Sequence, residues 1–192
     1  MNTKKSKAVL LKQLYAPYIP CLSCPLALNT HHNFVCGYGN PNASLMLIGE
    51  APGEQEDKKG LPFVGKSGQL LSKALECLGI DREKNVFITN SVKCRPQNNR
   101  KPTAEESTLY KHLFLLKEIE IIKPRVICTL GSTALESLLE KQVKITTVRG
   151  KQLNFDGIIL IPTYHPAYIL RNPKEFSHWF SDLEKAYNLS KL

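Results

Sequence analysis

Four short apolar runs, each ending in a knot of polar, Gly and Pro residues, do most to limit what this chain can fold into. Leu45-Met46-Leu47-Ile48 stops at Gly49-Glu50-Ala51-Pro52-Gly53, and Val86-Phe87-Ile88 stops at Thr89-Asn90-Ser91-Val92-Lys93-Cys94. Val126 to Leu130 stops at Gly131-Ser132, and Ile158 to Ile161 stops at Pro162-Thr163-Tyr164-His165-Pro166. Runs with no polar alternation read as strands covered on both faces, which is the mark of a parallel sheet. In an open parallel sheet, ligands bind beyond the carboxyl ends of the strands. The same four ends carry Glu50, Asn90 and His165. The pattern therefore predicts one rim on which a carboxylate, a carboxamide and an imidazole meet.

Between the runs lie segments of helical character. Apolar residues at helical spacing predict a short helix over 4–15, ending before Pro17. The stretch 50–64, rich in Gly, Pro and charge, reads as a long loop. Leu70, Leu71, Ala74, Leu75 and Leu78 share one face of a helix over 65–78, with Gly79 suited to its C′ position. Thr103 is a good N-cap, with Glu105 and Glu106 in the first turn, for a helix running to about Ile122. Ser132 reads as the cap of a helix to Glu140, residues 144–153 as one extended segment, and 173–188 as a last helix with Pro173 near N1. The order β-α-β-α-β-α-β-α gives an α/β fold: a four-stranded parallel sheet flanked by helices on both faces. With no linker, repeat or low-complexity segment, 192 residues are expected to form a single domain.

The formal net charge of +9 and a pI near 9.3 favour a polyanionic partner, nucleic acid or an anionic surface, over a merely basic exterior. No apolar run approaches the ~18 residues of a membrane span. The segment Ala8-Val9-Leu10-Leu11 is cut short by Lys12, too early for a signal-peptide core. A cytoplasmic protein without a membrane partner is expected. In that compartment thiols stay reduced, so Cys21-x-x-Cys24 with Cys94 points to a metal or cluster more than to a disulfide. Cys77 and Cys128, in apolar stretches, read as ordinary buried cysteines.

Four carboxylates fall between Glu50 and Asp57, in a chain that is otherwise basic. A solvated acidic turn is the plain reading, but such a turn beside a phosphate-binding surface would repel it. Asn90 offers one acceptor and two donors and can pair with the edge of a base. A lone Asn more often satisfies a turn. His165 at a strand end can stabilise a developing oxyanion. A lone His is more often structural, and it is the company of Asn90 and Glu50 that raises the functional reading. Lys93, Arg95, Arg100 and Lys101 form a basic loop, with Arg149, Lys151 and the segment His165 to Arg171 adding more, and such loops suit a nucleic-acid backbone.

Taken together, Gly49-Glu-Ala-Pro-Gly53, Gly60-x-Pro-Phe-Val-Gly65, Asn90-x-x-Lys-Cys-Arg-Pro96, Asn99-Arg-Lys-Pro-Thr103 and His165-Pro-Ala-Tyr-Ile-Leu-Arg171 resemble the family 4, iron–sulfur uracil-DNA glycosylases. The resemblance covers about residues 21–171. It implies a monofunctional enzyme that flips uracil out of DNA and hydrolyses its N-glycosidic bond, leaving an abasic site, with a [4Fe-4S] cluster. By resemblance, Glu50 and Ala51 belong to the water-handling loop, Phe63 stacks on uracil, Asn90 reads its pyrimidine edge, and His165 faces O2. Glu56 crowds C5 and bars the methyl of thymine. Arg95, Arg100 and Arg171 are assigned to DNA, and the loop from His165 to Arg171 presses into the duplex. Cys21, Cys24 and Cys94 match three cluster ligands; where the family has its fourth cysteine this chain has Tyr110, with Cys36 or His112 as possible substitutes. Ala51 stands where an activating Asp is absent, which leaves water activation to Glu50, another carboxylate or the phosphate field. The expected partner is uracil-containing DNA, and a monomer is expected, one site per chain being enough. The alternative function is a non-catalytic uracil- or abasic-DNA-binding module of the same fold. An unrelated metal-dependent phosphoesterase would need a carboxylate cluster beyond 54–57, and none is seen.

Overall fold

A computed structural model describes residues 5–19 and 33–192. The four apolar runs form the centre of one sheet, as strands β2 (Leu45–Gly49), β3 (Val86–Asn90), β4 (Val126–Leu130) and β6 (Ile158–Thr163). All are mutually parallel, in the order β3-β2-β4-β6. The sheet has six strands among the described residues, not four. Two short edge strands, β1 (Tyr38–Gly39) and β5 (Leu153–Phe155), pair antiparallel with β3 and β6. Two and three residues long, they carry too little pattern to be read from sequence, and edges this short are a common way of closing off a sheet.

Alternation of side chains across the pleat explains why the central runs are apolar throughout. Met46, Ile48, Phe87, Ile127 and Leu160 enter one core, under helices α1 (Lys7–Tyr15), α4 (Ala104–Tyr110), α5 (Leu116–Ile122) and α6 (Ser132–Leu139). Leu45, Leu47, Ile88, Val126 and Ile161 enter the other, under α3 (Lys66–Cys77) and α9 (Phe176–Lys191).

Several boundaries differ from expectation for local reasons. The expected 50–64 loop contains a helix, α2 (Glu54–Lys59). It is polar on every side, so it lacks a hydrophobic period, but Glu56 Oε2 reaches back to accept from the N–H of its N-cap Gly53 at 3.2 Å, and it ends at Gly60 in the left-handed region. The helix after Thr103 is capped as expected, Thr103 Oγ1 accepting from Glu106 N–H at 3.1 Å. It then widens into a π-helical turn over Lys111–Leu115 between α4 and α5. Gly131, not Ser132, is the N-cap of α6. Residues 144–153 are not one extended segment but a helical turn, α7 (Ile145–Val148), followed by β5. Pro173–Glu175 forms a 3-10 turn before α9. The segment after His165 is not a loop: Pro166–Arg171 forms the helix α8, capped by His165 itself. Among the described residues, no helix is long and apolar enough to cross a membrane.

Candidate active site

Strands β2 and β3 end in register, with Gly49 opposite Asn90, and β4 and β6 end with Leu130 opposite Thr163, two residues before His165. The ends enclose a cavity of about 220 Å³ lined by Glu50, Ala51, Glu56, Phe63, Asn90 and His165, with Arg100 also on its wall. Six residues drawn from four separate stretches of sequence thus meet in one concave site. Arg95 and Arg171 are not among the residues that line it.

Asn90 is almost fully buried, and its Oδ1 has no hydrogen-bond partner. A buried acceptor left unpaired costs about 1–3 kcal/mol, and in a cavity wall it is an acceptor held ready for a donor. Gly49 makes this placement possible. A methyl group there would stand 2.7 Å from Cε2 of Phe63 and closer still to Phe63 Cζ and Asn90 Oδ1. The carboxamide and the ring tip therefore share the space above one bare α-carbon. The Phe63 ring also lies 5.9 Å from the imidazole of His165, centroid to centroid.

The imidazole is oriented by its own chain. As the cap of α8, its Nδ1 accepts from the N–H of Ala167 at 3.1 Å. That bond fixes the tautomer: the proton sits on Nε2. Burial, reinforced by the positive charge of Arg171 and opposed by Glu56, holds the pKa down to about 4. At neutral pH the site therefore presents an uncharged imidazole with one N–H to donate.

The two carboxylates of the cavity differ in environment. Both oxygens of Glu56 are engaged by backbone, Oε1 accepting from Val64 N–H at 2.8 Å and Gly65 N–H at 2.7 Å, and Oε2 from Gly53 N–H at 3.2 Å. Glu56 is thus an anchored wall. Glu50 makes no side-chain hydrogen bond or ion pair among the described residues, while its backbone carbonyl accepts from Val92 N–H at 3.2 Å. Its carboxylate is left for a ligand or water.

The basic residues divide in the same way. Lys93, grouped by sequence with the DNA-facing loop, is fully buried. Its ammonium donates to Glu118 Oε2 at 2.8 Å, Thr89 Oγ1 at 2.5 Å and the carbonyl of Asn90 at 2.9 Å. Tyr15 donates to the same carboxylate at 2.5 Å. Burial pulls the Lys93 ammonium down from its ordinary range, and Glu118 opposes that shift. Arg149 is half-buried and paired with Asp182, whose Oδ2 also accepts from Thr163 Oγ1 at 2.7 Å. Arg100 is exposed but forks onto Glu106 at 2.8 and 2.6 Å, and Arg95 donates to Asn99 Oδ1 at 2.8 Å. Arg171 is exposed. Sequence could not reveal these pairings, because Lys93 and Glu118 are 25 residues apart and Arg149 and Asp182 are 33 apart.

Of the proposed cluster ligands, Cys21 and Cys24 lie outside the described residues. Cys94 and Tyr110 are both buried in the core beneath α1 and α4. Among the described residues, no group of three or more His, Cys, Asp or Glu could hold a metal ion. The two substitutes fare differently. His112 is exposed, with its Nε2 3.6 Å from Glu140. Cys36 is half-buried, and burial, reinforced by Glu118 and opposed by Lys93, pushes its thiol up to about 11. Cys36 thus lacks the environment of a poised thiolate ligand.

The sequence profile of the uracil DNA glycosylase superfamily matches residues 36–186. A type-4 uracil-DNA glycosylase of Thermotoga maritima is 49% identical over 175 residues, covering 89% of this chain and 90% of its own. One from Sulfurisphaera tokodaii is 44% identical over 172 residues, 85% and 77% of the two chains. A type-5 uracil-DNA glycosylase of Pyrobaculum aerophilum is 34% identical over 148 residues, 68% and 64% of the two.

Proposed function

The chain belongs to the uracil DNA glycosylase superfamily and is a DNA repair glycosylase that excises uracil, and from that premise we propose how its pocket carries out the reaction. The unpaired, buried Oδ1 of Asn90 beside a neutral Nε2–H donor at His165 is the observation that carries the proposal.

A base inside a duplex is out of reach, so the nucleotide swings out of the stack into the cavity. Its ring lies against Phe63. Asn90 accepts the N3–H of uracil through Oδ1 and donates through Nδ2 to O4. Cytosine presents the reverse pattern and would leave that buried Oδ1 facing a lone pair, which selects against it. Anchored Glu56 forms the wall against C5, where thymine carries a methyl.

As the N1–C1′ bond breaks, its electron pair moves onto the base and negative charge gathers on N1 and O2. The Nε2–H of His165 donates to O2, and its direction is already set by the Ala167 bond, so no reorganisation is needed at the moment of reaction. Such a donor contributes about 3–4 kcal/mol. Positive charge on the sugar draws water to C1′. With both oxygens of Glu56 occupied, Glu50 takes up the proton that water releases, and uracil leaves as an anion to be protonated by solvent. Arg95 and Arg171 bind the DNA backbone beside the pocket, joined by Arg100 when phosphate displaces Glu106. One chain suffices for this chemistry, and we propose a monomer acting in the cytoplasm.

We further propose that Cys21, Cys24 and Cys94 hold a [4Fe-4S] cluster, Tyr110 standing where the family's fourth cysteine would be. A buried Cys94 and a buried Tyr110 in one core fit such a group. When bound, the cluster would supply a structural cross-link, not a step of the reaction. Aerobically labile iron and a broad band near 400 nm under anaerobic purification are expected. A colourless, iron-free, fully active preparation removes the cluster.

The test of the pocket is His165→Ala and Asn90→Ala on a uracil-containing oligonucleotide. Each should lose most excision while still binding DNA. Near-normal turnover in both refutes these roles.

A further inference from the structure

Phe63 adopts φ +53°, in the left-handed region, although it is bulky and buried. For such a residue this backbone is a true outlier, costing about 1–3 kcal/mol unless the surroundings impose it. The surroundings here are two ions. On one side, the Glu56 carboxylate accepts from Val64 and Gly65 N–H, immediately after Phe63. On the other, the guanidinium of Arg82 donates through Nη2 to the carbonyl of Pro62 at 2.8 Å and through Nη1 to the carbonyl of Phe63 at 3.0 Å. The fork is itself steadied by Ser72 Oγ at 3.0 Å and by the Tyr38 ring at 5.7 Å.

The consequence is geometric. The peptide before Phe63 is held at its oxygen, and the peptide after it is held at both ends, oxygen on Arg82 and N–H on Glu56. Those two planes set φ and ψ of Phe63, and with them the direction of its ring. Helix α3 closes the remaining side, since a methyl at Gly68 would stand 2.6 Å from the Cα of Phe63. Arg82 does not line the cavity and touches it only through this turn.

We propose that Arg82 is a positioning residue for uracil excision, its guanidinium holding Phe63 in the left-handed turn that sets the ring against Asn90 and His165. This rests on Phe63 being the stacking surface for the base. Charge-assisted bonds to two carbonyls suit a planar fork, and a lysine ammonium, a point charge on a flexible stem, cannot reproduce both. A reacting group displaced by about 1 Å loses up to about 100-fold in rate.

The experiment compares wild type, Arg82→Lys, Phe63→Leu and the double variant. Single-turnover excision from a uracil oligonucleotide is read with KM, well below each variant's thermal midpoint. Arg82→Lys keeps the charge and is expected to fold. It should slow excision by about 10- to 100-fold, and the same change in the Phe63→Leu background should cost less than about 2-fold, because groups acting through one another are non-additive. Excision by Arg82→Lys at the wild-type rate overturns the inference. So does a loss that persists in full without the Phe63 ring, since Arg82 would then act through general stability. A Phe63→Leu variant at the wild-type rate instead removes the stacking role, and the inference with it.

Discussion

Gly49 offers the sharpest test of how the pocket is built. Its backbone is outside the left-handed region, so an alanine there meets no conformational penalty and acts as a purely steric probe. The new methyl would stand 2.7 Å from Phe63 Cε2, against an optimal carbon–carbon separation of about 3.5 Å, and nearer still to Asn90 Oδ1. Ring and carboxamide must therefore retreat by at least about 0.8 Å. Neither can do so freely, because the peptides on either side of Phe63 are pinned by Arg82 and Glu56, and the backbone carbonyl of Asn90, from which its buried side chain springs, by Lys93. Overpacking of this kind costs about 1–3 kcal/mol of stability. A displacement near 1 Å costs up to about 100-fold in rate, or about 2.7 kcal/mol of transition-state stabilisation. Gly49→Ala should thus lower kcat/KM for uracil-containing DNA by one to two orders of magnitude, while affinity for undamaged DNA stays within about twofold, since phosphate contacts dominate that affinity. The assays are steady-state excision and a salt-matched binding titration. If Gly49→Ala turns over like wild type with an unchanged thermal midpoint, Asn90 and Phe63 do not share that floor and the pocket is wrongly drawn.

Two further outcomes are expected. With His165 neutral down to about pH 4 in the folded protein and an ordinary value of 6.5 once unfolded, the unfolded chain binds the extra proton between those values. The stabilisation from this group is complete above pH 6.5 and is lost as pH falls through 4; correspondingly, the acidic limb of kcat/KM should fall near 4, and a limb at 6.5 that His165→Gln abolishes would show the imidazole to be unshifted. Lys93→Met leaves the Glu118 carboxylate buried without its cation, which costs about 3–5 kcal/mol, or about 6–20 °C in thermal midpoint. Lys93→Met with Glu118→Met should recover most of that loss, and a single variant within about 3 °C of wild type would mean the pair carries little stability.

Much of the site was legible because parallel strands advertise themselves. A run buried on both faces has no polar alternation, and the residues just past its end are committed to the sheet's carboxyl rim. Glu50, Asn90 and His165 could be grouped on that ground before any distance was known. Helix α2 is not legible in sequence: it is one and a half turns long, polar all round, and held by a bond from the Gly53 N–H to Glu56 and a glycine stop. Helix α8 reads as a loop in sequence because its cap is His165, whose side chain replaces the usual Ser, Thr or Asp. Lys93 reads as a surface cation in sequence because nothing near it indicates a buried carboxylate.

Sequence by itself determined the central strands, their parallel character and the identity of the residues that reach the rim, since strand burial and strand ends are local patterns. Tertiary structure alone decided what each of those residues is able to do. It buried Lys93 against Glu118, occupied both oxygens of Glu56 while leaving the Glu50 carboxylate without a hydrogen-bond partner among the described residues, put the proton of His165 on Nε2, and braced Phe63 with Arg82. Hydrogen bonds such as those joining Arg82 to Phe63 and Lys93 to Glu118 link groups 19 and 25 residues apart, and the chain has no periodic signal for a partner that only folding brings near.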